Sequence, residues 1–435
     1  MLFPKMIPRP PDTGEVEFQT LKTSIHSELV ESLDLAAVGK VDDAWMRREV
    51  QELSDQILKL RKLKLAPEVR SRMLADLDSE VFGLGPLDPL MSDPEISDIL
   101  VNNCREVFIE RHGRLELTST QFADDAHLLR IIQRIVSRVG RRIDEVSPMV
   151  DARLPDGSRV NAVVPPLALH GPKLSIRRFG AEHLKLENML LGGSISEPMA
   201  EFLQAAVASR ISFLIAGGTG AGKTTLLNAL SGAIPFDERI ITIEDSAELL
   251  LQHPHVVQME TRQANNEGSG EVSARDLVRN SLRMRPDRIL VGEVRGPEAL
   301  DMLQAMNTGH EGSLSTIHAN DTRDALSRLE MMVAMSGFEM PVKVVREYVA
   351  SGIKLLVHLS RLKGGVRRVM RVTEIVSVQN GEYQLQDIFG FRQQGIDAQG
   401  RAKGEFYATG YRPVCVSRFD DAGISVSDAL FASPA

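Results

Sequence analysis

The stretch ISFLIAGGTGAGKTTLLNAL, residues 211–230, decides the fold of the larger part of this chain. Its first six residues are apolar and predict a buried strand, while TTLLNAL has the leucine spacing of a helix. A strand before the loop and a helix after it predict a site where backbone N–H groups and the positive helix terminus face the β-phosphate of a nucleoside triphosphate. The loop matches the pattern G-x-x-x-x-G-K-[ST] and comprises Gly217, Gly218, Thr219, Gly220, Ala221, Gly222, Lys223, Thr224 and Thr225.

Three side chains of this loop have further expected roles. The Lys223 ammonium would reach the β- and γ-phosphates of ATP, and the Thr224 hydroxyl would bind Mg²⁺. Thr225 is expected to support the start of the helix or to contact the α-phosphate. The sequence therefore predicts ATP and Mg²⁺ as the ligands of this loop.

Two further apolar strands end in acidic residues. RILVGE ends at Glu293, which is predicted to hold Mg²⁺ through water, although a strand-end acid on the surface is the alternative. RIITIE ends at Glu244, and Glu248 follows one turn later. Hydrolysis needs a carboxylate that orients or deprotonates the attacking water; Glu244 is the first choice for this role and Glu248 the second. Alternatively, these acids only cap the next element.

Two histidines flank a short predicted strand in GHEGSLSTIHA, residues 309–319. A third ligand at metal-like spacing is missing, which disfavours a zinc site. His310 and His318 are interpreted as polar contacts that sense the γ-phosphate, with structural histidines as the alternative.

Short apolar runs alternate with helical patterns after Ile211, and this alternation predicts an α/β domain with a mainly parallel sheet covered by helices. Glycines at 180, 192 and 193 predict a linker that permits domain motion. The predicted division is a flexible Pro-rich leader at 1–16, a helical module at 17–82, an α+β domain at 83–180, the linker at 181–196, the P-loop ATPase domain at 197–390 and a C-terminal tail or small subdomain at 391–435.

Composition narrows the class of protein. At 435 residues the chain is expected to form two or three domains, and no apolar run approaches the roughly 18 residues of a membrane span. Two distant cysteines fit a reducing cytosol, so a cytoplasmic location is expected. A net charge of −8 and an aromatic content of 5% argue against direct binding to nucleic acid.

Four motifs follow one another as GGTGAGKTT, IEDSAEL, RMRPDRILVGEVRG and NTGHEGSLSTIHAN. They resemble the Walker A, Asp box, Walker B and His box of the type II/IV secretion ATPase superfamily. Within it the chain most resembles the CpaF/TadA-type ATPases of the tight-adherence (Tad, type IVc) pilus. The segments FGLGPLDPLMSDPEISDILVN, GRRIDEVSPMVDARLPDGSRVNAVVPP and LSIRRF are also similar to that subfamily, so the resemblance covers roughly residues 80–390.

The resemblance implies a RecA-like P-loop domain preceded by a smaller α+β domain, assembled as a homo-hexamer with ATP between the P-loop domain and an N-terminal domain. It implies work on inner-membrane pilus platform proteins, with peripheral association at the cytoplasmic face of the inner membrane. It also implies arginines that clamp the phosphates, and the candidates are Arg153, Arg159, Arg177 and Arg178 in the α+β domain and Arg283 in the P-loop domain.

Two other functions stay open from the sequence. A conjugation-type or DNA-translocating ATPase would share the four motifs but would need a basic, aromatic-rich surface. A structural ring, in which nucleotide binding only orders the subunits, is disfavoured by the complete set of acidic motifs.

Overall fold

The computed structural model describes residues 43–62, 65–111, 114–178, 185–262, 264 and 269–433, together with residues 18, 21, 22, 24, 25, 28 and 29. The chain divides into two compact units, Met1–Ala181 and Glu182–Ala435. The predicted leader at 1–16 and the first four residues of the predicted linker, 181–184, lie outside the described residues.

The first unit begins with helices whose apolar faces pack together. Helix α1 spans Asp43–Leu60 and helix α2 spans Pro67–Phe82, so α2 starts at a proline. Proline suits this position because its missing N–H would have no partner inside the helix. Residues of α1 and α2 share a buried apolar cluster with three residues that precede α1, and the cluster consists of Phe18, Ile25, Leu29, Ile57, Leu58, Met73 and Leu77.

An antiparallel sheet of six strands follows in the same unit, in the order β3-β2-β1-β6-β5-β4. Asp124 caps helix α4 (Asp125–Arg138) by accepting a hydrogen bond from the His127 N–H. The elements are helix α3 (Asp88–Ser92), strands β1 (Ile96–Asn103), β2 (Glu106–Arg111) and β3 (Arg114–Leu117), helix α4 (Asp125–Arg138), and strands β4 (Met149–Arg153), β5 (Arg159–Val163) and β6 (Lys173–Arg177).

The second unit contains a nine-stranded sheet in the order β15-β14-β13-β12-β7-β11-β10-β8-β9. The six strands from β12 to β9 in this order are parallel. The strands are β7 (Phe213–Gly217), β8 (Ile240–Glu244), β9 (Val256–Glu260), β10 (Arg288–Val294), β11 (Leu314–His318), β12 (Leu355–Arg361), β13 (Arg367–Gln379), β14 (Glu382–Ile396) and β15 (Ala402–Ala408).

Helices cover this sheet, and both of its faces are apolar. Central strands such as β7 and β8 are buried at every position, which explains why they read as continuous apolar runs rather than as alternating ones. The mixed α/β class predicted from the alternation is confirmed. The helices are α5 (Leu186–Leu191), α6 (Glu197–Ala208), α7 (Lys223–Ser231), α8 (Ala274–Ser281), α9 (Glu298–Asn307), α10 (Thr322–Ala334), α11 (Val342–Gly352) and α12 (Ser417–Asp421).

One predicted boundary falls inside a strand of the second unit. The boundary at residue 390 lies within β14, and β13 to β15 extend the parallel sheet as an antiparallel meander. Phe419 and Phe431 pack on Phe202 in the core. Their ring centroids lie 5.6 and 5.9 Å, respectively, from the ring centroid of Phe202. Residues 391–433 are therefore part of this unit, because the sheet and its aromatic core continue through them.

The predicted linker at 181–196 contains helix α5, whose Leu186 and Met189 are buried in the core of the second unit. Helix α5 of the predicted linker is therefore packed on the second unit, and Gly192 and Gly193 follow this helix. Among the described residues, the structure contains no helix long and apolar enough to cross a membrane.

Candidate nucleotide-binding site

The loop between β7 and α7 has the backbone that an anion site needs. Gly220 and Gly222 have φ angles of +68° and +99°, in the left-handed region that glycine enters without strain. A Cβ on Gly217 would lie 2.6 Å from the Leu359 carbonyl oxygen of the neighbouring strand β12, so only glycine fits there. Helix α7 then begins at Lys223 and presents its positive N-terminus to the loop.

Lys223 lies folded over the loop. Its ammonium donates hydrogen bonds to the carbonyl oxygens of Gly217 at 3.1 Å and Gly218 at 3.3 Å. The same nitrogen lies 4.0 Å from Glu293 Oε1, which places the cation of the loop beside the acid that ends the apolar run of β10. Thr224 follows in the first turn of α7. The structure thus brings Lys223 and Glu293 together beside the loop.

Glu244 and Glu248 differ in their surroundings. Glu244 is buried, and its Oε1 accepts hydrogen bonds from the backbone N–H groups of Glu248 at 2.8 Å and Leu249 at 2.9 Å. Its side chain lies against Gly292 of β10, where an added Cβ would lie 2.8 Å from Glu244 Cγ. The Glu248 side chain is only partly buried. Backbone contacts therefore hold Glu244 in one orientation next to the strand that carries Glu293.

Arg295 lies among the acidic residues at the ends of β8 and β10, and the sequence did not lead us to predict it as a site residue. Its guanidinium lies 2.6 Å from Glu293 Oε2 and 3.1 Å from Asp245 Oδ2, so it joins the ends of β8 and β10. Partial burial works to lower the pKa of Arg295, but the hydrogen bond to Glu293 and the charges of Asp245 and Glu248 outweigh it and raise the pKa. The signal was present in the sequence, because Arg295 stands two residues after Glu293 in GEVRG.

The two histidines lie at opposite ends of β11. His318 is paired in register with Gly217, so it stands beside the start of the phosphate-binding loop. His310 precedes β11, at the edge of the sheet where the parallel strands begin, and its neighbour Glu311 pairs with Arg418. A parallel strand of this length separates its two ends by about 13 Å. Within one chain, the structure therefore places His318 but not His310 with the loop.

Arg283 is also at the edge where the strands begin. It is exposed and lies between the end of α8 and the start of β10 at Arg288. The phosphate-binding loop follows the other end of the sheet, so Arg283 does not reach the loop of its own chain. The sequence could not show which residues of the motif RMRPDRILVGE lie near the loop, because the motif extends from before the first residue of β10 almost to the last.

Three of the four candidate arginines of the first unit form a row across its sheet. Register pairing places Arg159 opposite Arg153 on one side and opposite Arg177 on the other. Side chains at paired positions point to the same face, and like charges directly opposite each other are destabilising. We refer to Arg153, Arg159 and Arg177 as the arginine row. Arg178 is different, because its guanidinium donates to the backbone carbonyls of Asp93 and Ile96.

The residues present fit Mg²⁺ and a nucleoside triphosphate. A threonine hydroxyl and one or two carboxylates are the usual protein share of a Mg²⁺ site, with phosphate oxygens and water supplying the rest. Thr224 and Glu293 provide this set beside a lysine and a glycine-rich loop. The arrangement can bind polyphosphate, hold a divalent cation and orient water.

A protein-family model described as type II/IV secretion system protein (T2SSE) matches residues 80–400. The chain belongs to this family, and thus to the type II/IV secretion ATPase superfamily. It is 40% identical over 318 residues to a protein of Mycobacterium tuberculosis (strain ATCC 25618 / H37Rv) named "Putative conjugal transfer protein", with 72% of this chain and 89% of the relative covered.

The chain is also similar to the type IV secretion system protein VirB11 of Brucella suis biovar 1, with 34% identity over 305 residues that cover 64% of this chain and 84% of VirB11. Among solved structures, the VirB11 ATPase of the Brucella suis type IV secretion system in complex with sulphate has 33% identity and a TM-score of 0.36, covering 68% of this chain and 97% of that one.

Proposed function

We propose that this chain is a motor that hydrolyses ATP to drive pilus assembly or secretion at the inner membrane, and that its system is the Tad (type IVc) pilus. The observation that carries the proposal is the Lys223 ammonium, held at the phosphate-binding loop 4.0 Å from Glu293. Membership of the secretion family supports the same conclusion. The motif resemblance to CpaF/TadA-type ATPases supports the finer assignment, in which the motor extends or retracts the pilus.

The proposed chemistry uses the residues of the loop and the two strand ends. Loop amides and Lys223 bind the phosphates, while Thr224 and Glu293 hold Mg²⁺. The metal ion supplies neutralisation of the charge that develops on the transferred phosphoryl group. Glu244 orients the attacking water from its fixed position, and Glu248 is the second candidate for this role. His318 stands where it can contact the γ-phosphate.

The arginine row supports a ring. The row places three guanidinium groups at adjacent positions on one face of the sheet, with the Asp151 carboxylate 3.7 Å from Arg159, and guanidinium groups bind phosphate oxygens well. We infer that the row of one subunit binds the phosphates held by the next subunit, in a homo-hexamer. An arginine that completes a phosphoryl-transfer site in this way is worth about 10³- to 10⁵-fold in rate. In such a ring, Arg283 and His310 could act only on the nucleotide of a neighbouring subunit.

The first test removes the cation of the loop. The Lys223→Ala protein should lose magnesium-dependent ATP hydrolysis, measured as phosphate release at saturating ATP. Lys343→Ala is the matched control, because Lys343 is an exposed lysine of the same unit, with 70% of its side chain accessible. A Lys223→Ala protein that hydrolyses ATP at the wild-type rate would refute the assignment of the site.

The second test mixes two inactive variants. Lys223→Ala subunits keep the arginine row, and Arg159→Ala subunits keep the phosphate-binding loop. If the row acts on the neighbouring subunit, each site needs an intact loop on one subunit and an intact arginine row on the next. In a one-to-one mixture each of these is present in about half of the cases, so about a quarter of the sites should be active. A mixture as inactive as its components would mean that the row serves its own subunit or no nucleotide at all.

The work of the motor is proposed to reach inner-membrane pilus platform proteins through domain rotation at the predicted linker, with the packed helix α5 moving as part of the second unit. The protein would act in the cytoplasm, held at the membrane face by these partners and without direct contact to nucleic acid. The Glu244→Gln protein tests the link between hydrolysis and work. Cells that carry it should make no pili, whereas normal piliation without hydrolysis would favour a structural ring.

A conjugation-type type IV secretion ATPase or a DNA-translocating motor is the second candidate. The similarity to a protein named for conjugal transfer favours it. Its signature would be ATPase activity that rises with added DNA and falls steeply with salt, since binding to nucleic acid depends on counterion release. Activity unaffected by DNA at low salt would favour the pilus motor.

A further inference from the structure

A hairpin far along the chain lies against the phosphate-binding loop. Strand β12 runs parallel to β7, with Leu359 paired to Gly217, and β12 continues two residues beyond the end of β7, to Arg361. The chain then turns through residues 363–365, and β13 starts at Arg367, which is paired with Arg361. The turn of this hairpin therefore stands next to the crest of the loop, Gly220–Gly222.

Arg367 contacts the crest directly. Its Nε donates a hydrogen bond to the Gly220 carbonyl oxygen at 3.0 Å. Its Cδ lies 3.5 Å from the position that a Cβ on Gly222 would occupy. Arg361 approaches the other side of the crest, with Nη1 3.4 Å from the corresponding position on Gly220.

This hydrogen bond fixes one peptide plane of the loop. The peptide between Gly220 and Ala221 is planar, so holding its oxygen also sets the direction of its N–H. That N–H donates to the Gly218 carbonyl oxygen at 3.2 Å, and both ends of the peptide are therefore held. Gly220 begins this peptide, Gly222 follows Ala221, and both glycines have φ angles in the left-handed region. Glycine loses more backbone conformational entropy on ordering than other residues do. A loop without this hydrogen bond would therefore lose more entropy when it orders around phosphate.

We propose that Arg367 is a positioning residue for the phosphate-binding loop, and that it acts through the Gly220 carbonyl group rather than on the reacting atoms. The inference rests on the proposed function of the loop as an ATP site. Removal of Arg367 should weaken ATP binding about tenfold, in line with the loss of one hydrogen bond to a charged donor. The kcat at saturating ATP should stay within about twofold of wild type, because the ordering cost affects binding of substrate and transition state alike.

Three substitutions separate the hydrogen bond from the charge. Arg367→Ala removes both. Arg367→Gln places an uncharged N–H donor at the same number of bonds from the backbone as Nε, whereas Arg367→Lys keeps the charge and has a methylene there. Arg371→Ala is the control, because Arg371 is an exposed arginine of the same strand that pairs with Asp387.

The measurements are the Kd for ATP with Mg²⁺ by calorimetry, the KM and kcat for hydrolysis, and the melting temperature without nucleotide, all on the full chain. We expect Arg367→Ala and Arg367→Lys to bind ATP about tenfold more weakly, and Arg367→Gln and Arg371→Ala to bind within about threefold of wild type. A pattern in which lysine restores affinity and glutamine does not would overturn the positioning role in favour of a charge effect.

An Arg367→Ala protein that binds ATP as tightly as wild type would overturn the inference and leave the proposed function intact. A wild-type protein without magnesium-dependent affinity for ATP would instead overturn the proposed function. If Arg367→Ala fails to fold, the comparison of Arg367→Gln with Arg367→Lys carries the test alone, and equal affinities in these two variants would count against the inference.

Discussion

A buried ion pair at the start of β10 makes a testable contribution to the stability of the second unit. Arg288 is fully buried and Glu238 is 4% exposed. The Arg288 guanidinium pairs with both carboxylate oxygens of Glu238, with Nη2 3.1 Å from Oε1, and Arg210 Nε donates to the same oxygen at 3.0 Å. Burial works to raise the pKa of Glu238, but the hydrogen bonds and charges of both arginines outweigh it and lower the pKa.

Glu238→Gln removes the negative charge and keeps the volume. The Arg288 guanidinium is then left buried without the counter-charge of Glu238, a change that typically costs about 3–5 kcal/mol. The carbonyl oxygens of Val207 at 2.7 Å and Gly312 at 3.3 Å still accept from Arg288. We therefore expect the free energy of unfolding to fall by about 3 kcal/mol, at the low end of that range. For a domain of this size, this loss corresponds to a fall in Tm of about 6–12 °C.

Differential scanning calorimetry of the full chain gives the Tm, and hydrogen exchange at the amides of β10 assigns the loss to this unit. Asp428→Asn is the control, because its pair with Arg412 is exposed and should be worth at most about 1 kcal/mol. The double variant Glu238→Gln with Arg288→Met should regain part of the stability, since it removes the uncompensated charge. A loss in Glu238→Gln as small as in Asp428→Asn would refute this reasoning.

Two further predictions concern the loop and the first unit. Gly217→Ala should abolish ATP binding in a calorimetric titration, because its Cβ would lie 2.6 Å from the Leu359 carbonyl oxygen, whereas Gly218→Ala, with nothing within 4 Å, should keep the fold of the loop. Burial works to raise the pKa of Glu80, but His127 and Lys22 lower it to about 2. The free energy of unfolding of the first unit should therefore fall by at most about 3 kcal/mol as the pH falls from about 4.5 to 2. Glu80→Gln should make acid unfolding less dependent on pH over this range. An unchanged pH profile in Glu80→Gln would contradict this prediction.

Some parts of the site could be read from the sequence because they are local. The strand, the glycine loop and the helix start are neighbours along the chain, and their backbone requirements select residue types at fixed spacing. Glu244 and Glu293 were also predictable, since the ends of parallel strands in one sheet meet at one edge. The same reasoning could not tell which residues of a long motif lie at the other edge, as His310 and Arg283 do.

The sequence by itself determined the α/β class, the glycine-rich loop between β7 and α7 and the acids at the strand ends, because hydrophobic periodicity and local backbone requirements can be recognised along the chain. Only the tertiary structure decided that β12 lies beside β7 and brings Arg367 to Gly220, 147 residues away. It also decided that Arg153, Arg159 and Arg177 form one row and that β13 to β15 complete the sheet. These relations depend on strand order and register, which are set by packing between distant segments and not by any pattern within one of them.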